Sequence, residues 1–246
     1  MKILLLDIET APNLGYVWQL WNQNLGPKQV VSGSYVLCWA AKWYGDSKMY
    51  FRSVEHASPK VMLKAIHSLL DQADVVVHYY GTKFDVPMLN TEFAKHGMSP
   101  PSPYKQVDLK QVVANNFRFP SSKLEYVAKA LGLGAKIDTD FKLWIGCMQG
   151  DPESWAKMEK YNKQDTKLLE KLYDKLIPWI KNHPNHGSYQ EDKQVCPNCG
   201  SKHYHSRGTV VARLLAYSRF QCQSCHTWFR SNKPVAAKKV ERNVGI

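Results

Sequence analysis

The chain has 246 residues, of which 44% are apolar and 22% are charged, and its formal net charge is +12. This length allows one large domain, or a medium domain with a small module, and the composition is typical of a globular protein. No apolar segment reaches the roughly 20 residues needed to cross a membrane, and charges interrupt the N-terminal apolar run too early for a signal peptide. These features argue against a membrane protein and predict a cytoplasmic location.

The positive charge is concentrated towards the C-terminus. From residue 188 onward there are 10 Lys and Arg residues but only three Asp and Glu residues. A strongly basic segment attached to a less basic domain indicates a polyanionic partner, which is most simply nucleic acid. A solvated basic tail is the alternative interpretation.

The first predicted element is a buried strand that ends in two acids. Residues 3–6 are apolar, and Asp7 and Glu9 follow on either side of Ile8. Side chains alternate along a strand, so the two carboxylates point to the same side. Two like charges this close favour a cation between them, and oxygen ligands select Mg²⁺ or Mn²⁺. A solvated strand end is the alternative.

The next elements predict a mixed α/β sheet. After the first strand comes a loop in which Trp18 and Trp21 have helical spacing, which suggests a packing anchor, with a base-stacking platform as the alternative. Two aromatic-rich strands then flank Gly45-Asp46 and predict a hairpin. An amphipathic helix follows, with Ser58 as its predicted cap and Pro59 at its first position. Another buried strand covers residues 74–80.

Further acids occur in the second half of this region. Asp85 opens a predicted helix just after the buried strand, where capping the helix is the alternative to metal binding. Residues 121–134 predict a helix with Ser at its start and Gly at its end. Asp165 lies on a long helix that begins near Asp151 and Pro152, and Tyr161 precedes it by four residues on the same face.

Three motifs in this order resemble the DEDD superfamily of 3′–5′ exonucleases in its tyrosine-containing subclass. They are L-D-I-E-T around Asp7, K-F-D-V-P-M-L around Asp85, and Y-N-K-Q-D from Tyr161 to Asp165. The subclass includes the proofreading domains of family A and family B DNA polymerases and the RNase D-like enzymes. The resemblance covers roughly residues 1–181. Relatives usually carry Asn five residues before the second-motif Asp, where this chain has Tyr80.

The resemblance implies a ribonuclease H-like fold, a mixed five-stranded sheet flanked by helices, and two-metal hydrolysis of phosphodiesters. Two Mg²⁺ or Mn²⁺ ions would then be held by Asp7, Glu9, Asp85 and Asp165, with Asp7 between them. Tyr161 would orient the attacking water, because a phenol of pKa about 10 is a poor base at neutral pH. Tyr80 and Phe84 are candidates to stack on terminal bases, and core packing is an equal alternative for both.

The C-terminal segment contains two C-x-x-C pairs separated by 22 residues, a spacing typical of a zinc ribbon. The four thiolates predicted to bind one Zn²⁺ belong to Cys196, Cys199, Cys222 and Cys225. An iron–sulfur cluster is the alternative. The predicted nucleic-acid contacts of this ribbon are Arg207, Arg213, Arg219 and Arg230, which are interleaved with aromatic residues. A structural module with solvated arginines is the other interpretation.

The sequence therefore predicts an exonuclease domain at 1–183, a linker at 184–193, a zinc ribbon at 194–231 and a basic tail at 232–246. The expected function is metal-dependent 3′–5′ hydrolysis of single-stranded DNA or frayed 3′ ends, with release of mononucleotides. The arrangement is similar to free-standing exonucleases of phages, for which the location would be the host cytoplasm. A replication or recombination protein is a further candidate partner.

Three alternatives stay open at this point. The first is a 3′–5′ RNA exonuclease of the same superfamily. The second is a RuvC-like endonuclease that recognises nucleic-acid structure, because such proteins also combine this fold with zinc ribbons. The third is a nucleic-acid-binding module without catalytic activity.

Overall fold

The computed structural model describes residues 1–22, 24–190, 194–212 and 214–235. Its contacts divide the chain into two units, Met1–Leu176 and Ile177–Ile246. Among the described helices, none is both long and apolar enough to cross a membrane.

The described strands of the first unit follow one another along the first 108 residues. They are β1 (Ile3–Thr10), β2 (Leu14–Gly15), β3 (Val30–Ser32), β4 (Val36–Trp43), β5 (Met49–Ser53), β6 (Val75–His78) and β7 (Lys105–Asp108). Five of them form one sheet in the order β5-β4-β1-β6-β7. Strand β4 runs antiparallel to β1 and β5, whereas β6 runs parallel to β1 and β7. The predicted mixed five-stranded sheet is therefore confirmed.

The described helices of this unit cover both faces of the sheet. They are α1 (Pro59–Gln72), α2 (Asp85–Lys95), α3 (Leu109–Asn116), α4 (Leu124–Ala130), α5 (Phe141–Met148) and α6 (Pro152–Leu176). Residues of α1 and α2 pack on one face, for example Ile66 and Phe93 against Leu4 and Leu6 of β1. Residues of α5 and α6 pack on the other face against β4.

Strand β1 lies at the centre of the sheet, and the alternation of its side chains explains which face carries Asp7 and Glu9. Leu4, Leu6 and Ile8 are buried in the core with α1 and α2. Alternation along the strand then turns Asp7 and Glu9 to the opposite face, where α6 packs against β1. The apolar run therefore fixes which face receives the carboxylates.

Several local predictions differ from the structure. The Ser58 side chain makes no capping hydrogen bond to α1, and α4 begins after Lys123 rather than at a serine. Helix α5 was not predicted, although Asp140 caps it by accepting a hydrogen bond from the Lys142 amide. Trp18 and Trp21 are not a packing anchor, because they are 97% and 80% exposed and lie outside any helix.

The second unit contains a three-stranded antiparallel sheet in the order β10-β9-β8. Its strands are β8 (Tyr204–Ala212), β9 (Leu215–Cys222) and β10 (Trp228–Pro234). The Asn198 side chain donates hydrogen bonds to the carbonyls of Ile177 and Ile180 at 2.9 and 3.0 Å. These bonds attach the residues just after α6 to the cysteine region, whereas the sequence placed the boundary after residue 183.

The predicted linker and tail also contain ordered structure. Residues His186–Tyr189 form a turn of 3-10 helix, and the His186 amide donates to the Pro197 carbonyl at 2.9 Å. Strand β10 continues to Pro234, and the Val235 amide donates to Ala216. The rest of the predicted linker (191–193) and of the predicted tail (236–246) lies outside the described residues.

Candidate active site

Three carboxylates meet where β1 passes under α6. One oxygen each of Asp7, Glu9 and Asp165 can be chosen so that all three lie within 4.8 Å of one another. Asp165 is 1% exposed, and its Oδ1 atom is buried without a hydrogen-bond partner among the described residues. A buried carboxylate oxygen that lacks a donor is costly unless a cation satisfies it. The cluster therefore fits a hard divalent cation.

Asp85 is not part of this three-carboxylate cluster, but it reaches the same strand. Strand β6 pairs with β1 only as far as Val77 opposite Leu5. Beyond that point the Ile8 amide donates to Asp85 Oδ1 at 3.3 Å. Asp85 is the first residue of α2 rather than its cap, and it is 5% exposed. Its side chain thus accepts a hydrogen bond from β1.

Burial and mutual repulsion shift the ionisation of these groups. Burial, followed by the charges of Glu9, Asp165 and Asp85, raises the pKa of Asp7 well above its usual range. Burial, followed by the charges of Asp165 and Asp85, raises the pKa of Glu9 to about 8. Burial raises the pKa of Asp85 to about 7, although the hydrogen bond from Ile8 opposes the shift. A divalent cation would reverse these shifts, because it favours the charged form of each carboxylate.

Lys136 supplies a positive charge at the cluster, and the sequence analysis missed this residue. It lies between α4 and α5, and its ammonium group forms an ion pair with Asp165. The same Nζ atom donates to the Tyr161 hydroxyl at 3.2 Å. Burial lowers the pKa of Lys136, but the neighbouring Asp165 and Tyr161 raise it more, so the amine stays protonated. No sequence signal marks Lys136, because it belongs to none of the three motifs.

Helix α6 contributes three neighbouring side chains to the site. Tyr161 and Asp165 lie one turn apart, and the Asn162 side-chain amide between them donates to Asp7 Oδ2 at 2.7 Å. Burial and the nearby acids raise the pKa of Tyr161, so the phenol is protonated at neutral pH. Asn162 is fully buried and is a second residue that the sequence analysis missed. It fixes the orientation of Asp7.

A cleft of about 370 Å³ opens beside these residues, within the size range of ligand pockets. It is lined by Asp7 and Tyr161, by the lysines 110, 123 and 136, and by the neighbouring tyrosines 79 and 80. Phe84 is 43% exposed but does not line the cleft. The structure therefore brings Tyr80, but not Phe84, to the predicted substrate side of the site.

The turn that carries Tyr80 has an unusual backbone. Tyr80 has φ +71°, a left-handed conformation that is unfavourable for an aromatic residue and that Asn tolerates better. The Asp108 carboxylate holds this turn, since it accepts hydrogen bonds from the amides of Tyr80 and Thr82 at 2.9 and 3.3 Å. The Lys110 ammonium lies 3.7 Å from the centre of the Tyr80 ring. The ring is therefore held in place over the cleft.

His78 stabilises the same turn through hydrogen bonds and has a structural role. It is fully buried, its Nε2 atom lies 3.1 Å from the Gln106 side-chain oxygen, and its Nδ1 atom accepts from the Gly81 amide at 3.1 Å. Burial lowers the pKa of His78, which keeps the ring neutral. An acceptor nitrogen at Nδ1 requires this neutral form.

The four predicted zinc ligands form a second cluster, in the second unit. Four sulfur atoms lie within 4.8 Å of one another, and they belong to Cys196, Cys199, Cys222 and Cys225. The sulfur atoms of Cys196 and Cys225 are 3.6 Å apart, as are those of Cys199 and Cys222. Tetrahedral zinc with bonds of about 2.3 Å requires a separation of roughly 3.8 Å. The cluster is compatible with one Zn²⁺.

The two cysteine turns have matching backbone geometry. The Cys196 amide donates to the carbonyl five residues later, and the Cys222 amide does the same, at 2.8 and 3.0 Å. The fourth residue after each of these cysteines is left-handed, with φ +73° at Gly200 and φ +63° at His226. Two equivalent turns that face each other present four sulfur atoms to one point.

The predicted nucleic-acid contacts of this unit lie on its sheet. Arg207, Arg219 and Arg230 belong to β8, β9 and β10 and are exposed. Arg213 lies outside the described residues.

Comparison with known proteins agrees with the architecture of the first unit. A sequence profile of the RNase_H superfamily matches residues 35–177, which is more than half of the chain. The chain belongs to the RNase_H superfamily. The matched region includes Asp85, Tyr161 and Asp165, whereas Asp7 and Glu9 precede it. No curated protein gave a significant match to this superfamily member.

Among solved structures, the RNase_H superfamily protein is similar to the family B DNA polymerase from the hyperthermophilic archaeon Pyrobaculum calidifontis. The two share 18% sequence identity with a TM-score of 0.55, and the match covers 72% of this chain. It covers only 24% of the polymerase, so the chain corresponds to a minor part of that protein. At this identity the match establishes the fold alone.

The carboxylate cluster predicts how stability depends on pH when divalent metal is absent. In the unfolded chain Glu9 and Asp85 release their protons near pH 4, whereas in the folded protein they keep them up to pH 7–8. The unfolded state therefore binds fewer protons in this window, and stability falls as pH rises from about 4.5 to about 8. Without Mg²⁺ or Mn²⁺, we expect the midpoint of urea unfolding to be lower at pH 8 than at pH 5.5. In Asp7→Asn we expect this midpoint to depend less on pH.

The matched control is Asp46→Asn, which removes an acid from the β4–β5 turn. It should keep the wild-type pH dependence. An Asp7→Asn protein that loses as much stability as the wild type over this pH range would contradict the repulsion described here.

Gly81 provides a test of the turn below Tyr80. A Cβ atom at this position would lie 2.4 Å from Cγ of the buried His78 ring. We expect Gly81→Ala to lower the free energy of unfolding by about 1–3 kcal/mol, because neither the ring nor the turn can move freely. Gly33→Ala is the control, since no atom lies within 4 Å of its added methyl. Equal thermal midpoints for the two variants would show that the turn is not tightly packed.

Proposed function

We propose that this protein is a metal-dependent 3′–5′ exonuclease that acts on single-stranded DNA or frayed 3′ ends and releases mononucleotides. The observation that carries the proposal is the cluster of Asp7, Glu9 and Asp165 beside a cleft in an RNase H-like fold. A protein that only binds a polyanion gains nothing from three clustered carboxylates that face it. The same carboxylates are the ligands that phosphodiester hydrolysis with divalent metals requires.

The three clustered carboxylates fit one divalent cation, and Asp85 is the further acid that would support a second. Asp7, Glu9 and Asp165 would hold one, and Asp85 with Asp7 would support the other. Such cations, Mg²⁺ or Mn²⁺, supply acidity to water and stabilise charge on the phosphate oxygens. The proposal gains support from the unpartnered Oδ1 atom of Asp165, which is a vacant acceptor in the part of the chain that the structure describes.

Tyr161 and Lys136 act on the reacting groups without taking a proton. The phenol of Tyr161 keeps its proton, because burial and the neighbouring acids raise its pKa. It therefore positions the attacking water by hydrogen bonding rather than acting as a base. The protonated Lys136 lies beside both Tyr161 and Asp165, where its charge would stabilise negative charge that develops on the phosphate.

The direction and the substrate rest on similarity and on the cleft. The sequence motifs resemble those of proofreading exonucleases, and the fold match is to a family B DNA polymerase. Tyr80 offers an aromatic face, and Lys110 and Lys123 offer positive charge on the same cleft. Unstacked bases with an accessible backbone suit such a surface better than a closed duplex does.

The cysteine cluster most simply holds one structural Zn²⁺. Its four sulfur atoms are shared between two turns, so metal binding would fix the turn that precedes β8 and the turn that connects β9 to β10. In the proposed protein the cluster has no catalytic task, because a four-thiolate site leaves no open coordination position.

The central test follows hydrolysis of end-labelled single-stranded DNA and RNA with Mg²⁺, with Mn²⁺ and with neither. We expect stepwise shortening from the 3′ end that depends on added metal and disappears in Asp7→Ala, because Asp7 lies at the centre of the cluster. Comparison of the hydrolysis rates of the DNA and RNA strands identifies the preferred sugar. Glu153→Ala is a matched control, since it removes an exposed acid from the same helix and should leave the rate within twofold.

Other outcomes of this assay decide between the alternatives. Faster shortening of RNA than DNA would favour an RNA exonuclease. Internal cuts would support a RuvC-like endonuclease. Binding without cleavage under every metal condition would leave a nucleic-acid-binding protein.

Lys136→Met tests the proposed role of the lysine. Loss of its charge should lower kcat about 10- to 100-fold, because one preorganised positive group near the phosphate is removed. The Mn²⁺ concentration for half-maximal activity should fall, since the ammonium no longer competes for Asp165. Lys136→Arg should keep part of the rate, and the exposed Lys142→Met should behave as wild type. An unchanged kcat in Lys136→Met would limit the lysine to pairing with Asp165.

A further inference from the structure

One face of the small sheet of the second unit carries a cluster of half-buried aromatic rings. Tyr204, Phe220 and Phe229 lie on this face, with ring centres 5.3 to 5.5 Å apart. Cys222 pairs with Tyr204 across the strands and points the same way. The metal-binding turns and the aromatic cluster together therefore fill one side of the sheet.

The opposite face carries arginines and aromatic rings in alternation. Arg219 and Arg230 stand directly opposite each other on β9 and β10, and Trp228 stands opposite Gln221. The guanidinium carbon of Arg219 lies 5.2 Å from the centre of the Trp228 ring, and that of Arg230 lies 3.9 Å from the centre of the Tyr217 ring. We call Tyr217, Arg219, Trp228 and Arg230 the arginine–aromatic face.

This face is exposed and lacks negative charge. Trp228 is 53% exposed, and both arginines are exposed. Residues 194–235 contain six Lys and Arg residues and no Asp or Glu. Four thiolates with one Zn²⁺ would contribute a charge of −2, so the segment stays positive. Two like charges opposite each other on a sheet are unfavourable, and no acidic side chain among the described residues forms an ion pair with either arginine.

The two arginines are held in place while their donors stay available. Arg219 donates from Nε and Nη2 to the Arg207 carbonyl at 3.1 and 2.9 Å, which leaves three of its five N–H groups. Stacking on Tyr217 orients Arg230. Guanidinium groups fixed in this way match the geometry of phosphate oxygens.

We infer that the arginine–aromatic face is a binding surface for single-stranded nucleic acid. Arg219 and Arg230 would contact successive phosphates, and the open side of the Trp228 ring would stack on a base. A duplex hides the faces of its bases, so an exposed indole between arginines favours the single strand. This surface is in a different unit from the carboxylate cluster, and the inference does not depend on nuclease activity.

The test measures binding of a fluorescein-labelled 12-nucleotide single strand by anisotropy. The full chain carries Asp7→Ala in every sample, so that degradation cannot interfere, and DNA and RNA strands are measured separately. We expect Arg219→Ala/Arg230→Ala to weaken binding at least tenfold. The slope of log K against log salt should fall by about 1.4, because two phosphate contacts to a single strand are lost. Trp228→Ala should weaken binding about tenfold.

Two control variants keep the test decisive. Arg118→Ala removes an exposed arginine at the end of α3 and should bind within twofold of the parent. Arg219→Lys/Arg230→Lys keeps the charge but loses the planar groups, so it should bind between the parent and the double alanine variant. Circular dichroism and the thermal midpoint confirm that each variant is folded.

Unchanged binding of both the double alanine variant and Trp228→Ala would overturn the inference. Equal weakening for a matched duplex would also overturn it, because base stacking would then play no part. If polyglutamate binds as tightly as the strand and responds equally to the variants, the face recognises an acidic protein instead. The stronger of the DNA and RNA responses identifies the sugar that the surface prefers.

Discussion

The mutual repulsion of three carboxylates on one face of the central sheet is the constraint on which the active site depends. Alternation along β1 places Asp7 and Glu9 on that face, and α6 brings Asp165 within 4.8 Å of both. Burial raises the pKa of each group, and repulsion from the other carboxylates adds to the shift at Asp7 and Glu9. The fold tolerates this arrangement because the Lys136 ammonium pairs with Asp165. A divalent metal bound to these carboxylates would serve the same electrostatic purpose as the lysine.

The residues around the cluster show how a strained site is kept in one geometry. Asn162 fixes Asp7, the Ile8 amide fixes Asp85, and Asp108 holds the left-handed turn at Tyr80. Each of these contacts joins segments that are distant in the sequence. Orientation is therefore supplied by the packing of α2, α3 and α6 around β1, and not by the motifs themselves.

The two units differ in the charges that they bring together. The first gathers negative charge and needs cations, whereas the second has no acids between residues 194 and 235 and offers exposed arginines. A nuclease has to hold a polyanion and also place carboxylates beside it. The first unit combines both signs of charge, since the lysines 110, 123 and 136 line the same cleft as Asp7. The protein partner and the cytoplasmic location stay predictions.

The sequence by itself determined the mixed sheet, the positions of the four acids and the pairing of the cysteines into two turns. These features follow from local rules, because periodicity sets which face a side chain takes and short spacings set turns. Only the tertiary structure decided that Lys136 and Asn162 join the site, that Tyr80 lines the cleft while Phe84 does not, and that Trp18 and Trp21 are exposed. It also placed Tyr217 and Trp228 on one face of the small sheet and Tyr204 and Phe220 on the other. Such outcomes depend on contacts between residues far apart in the chain, which no local pattern encodes.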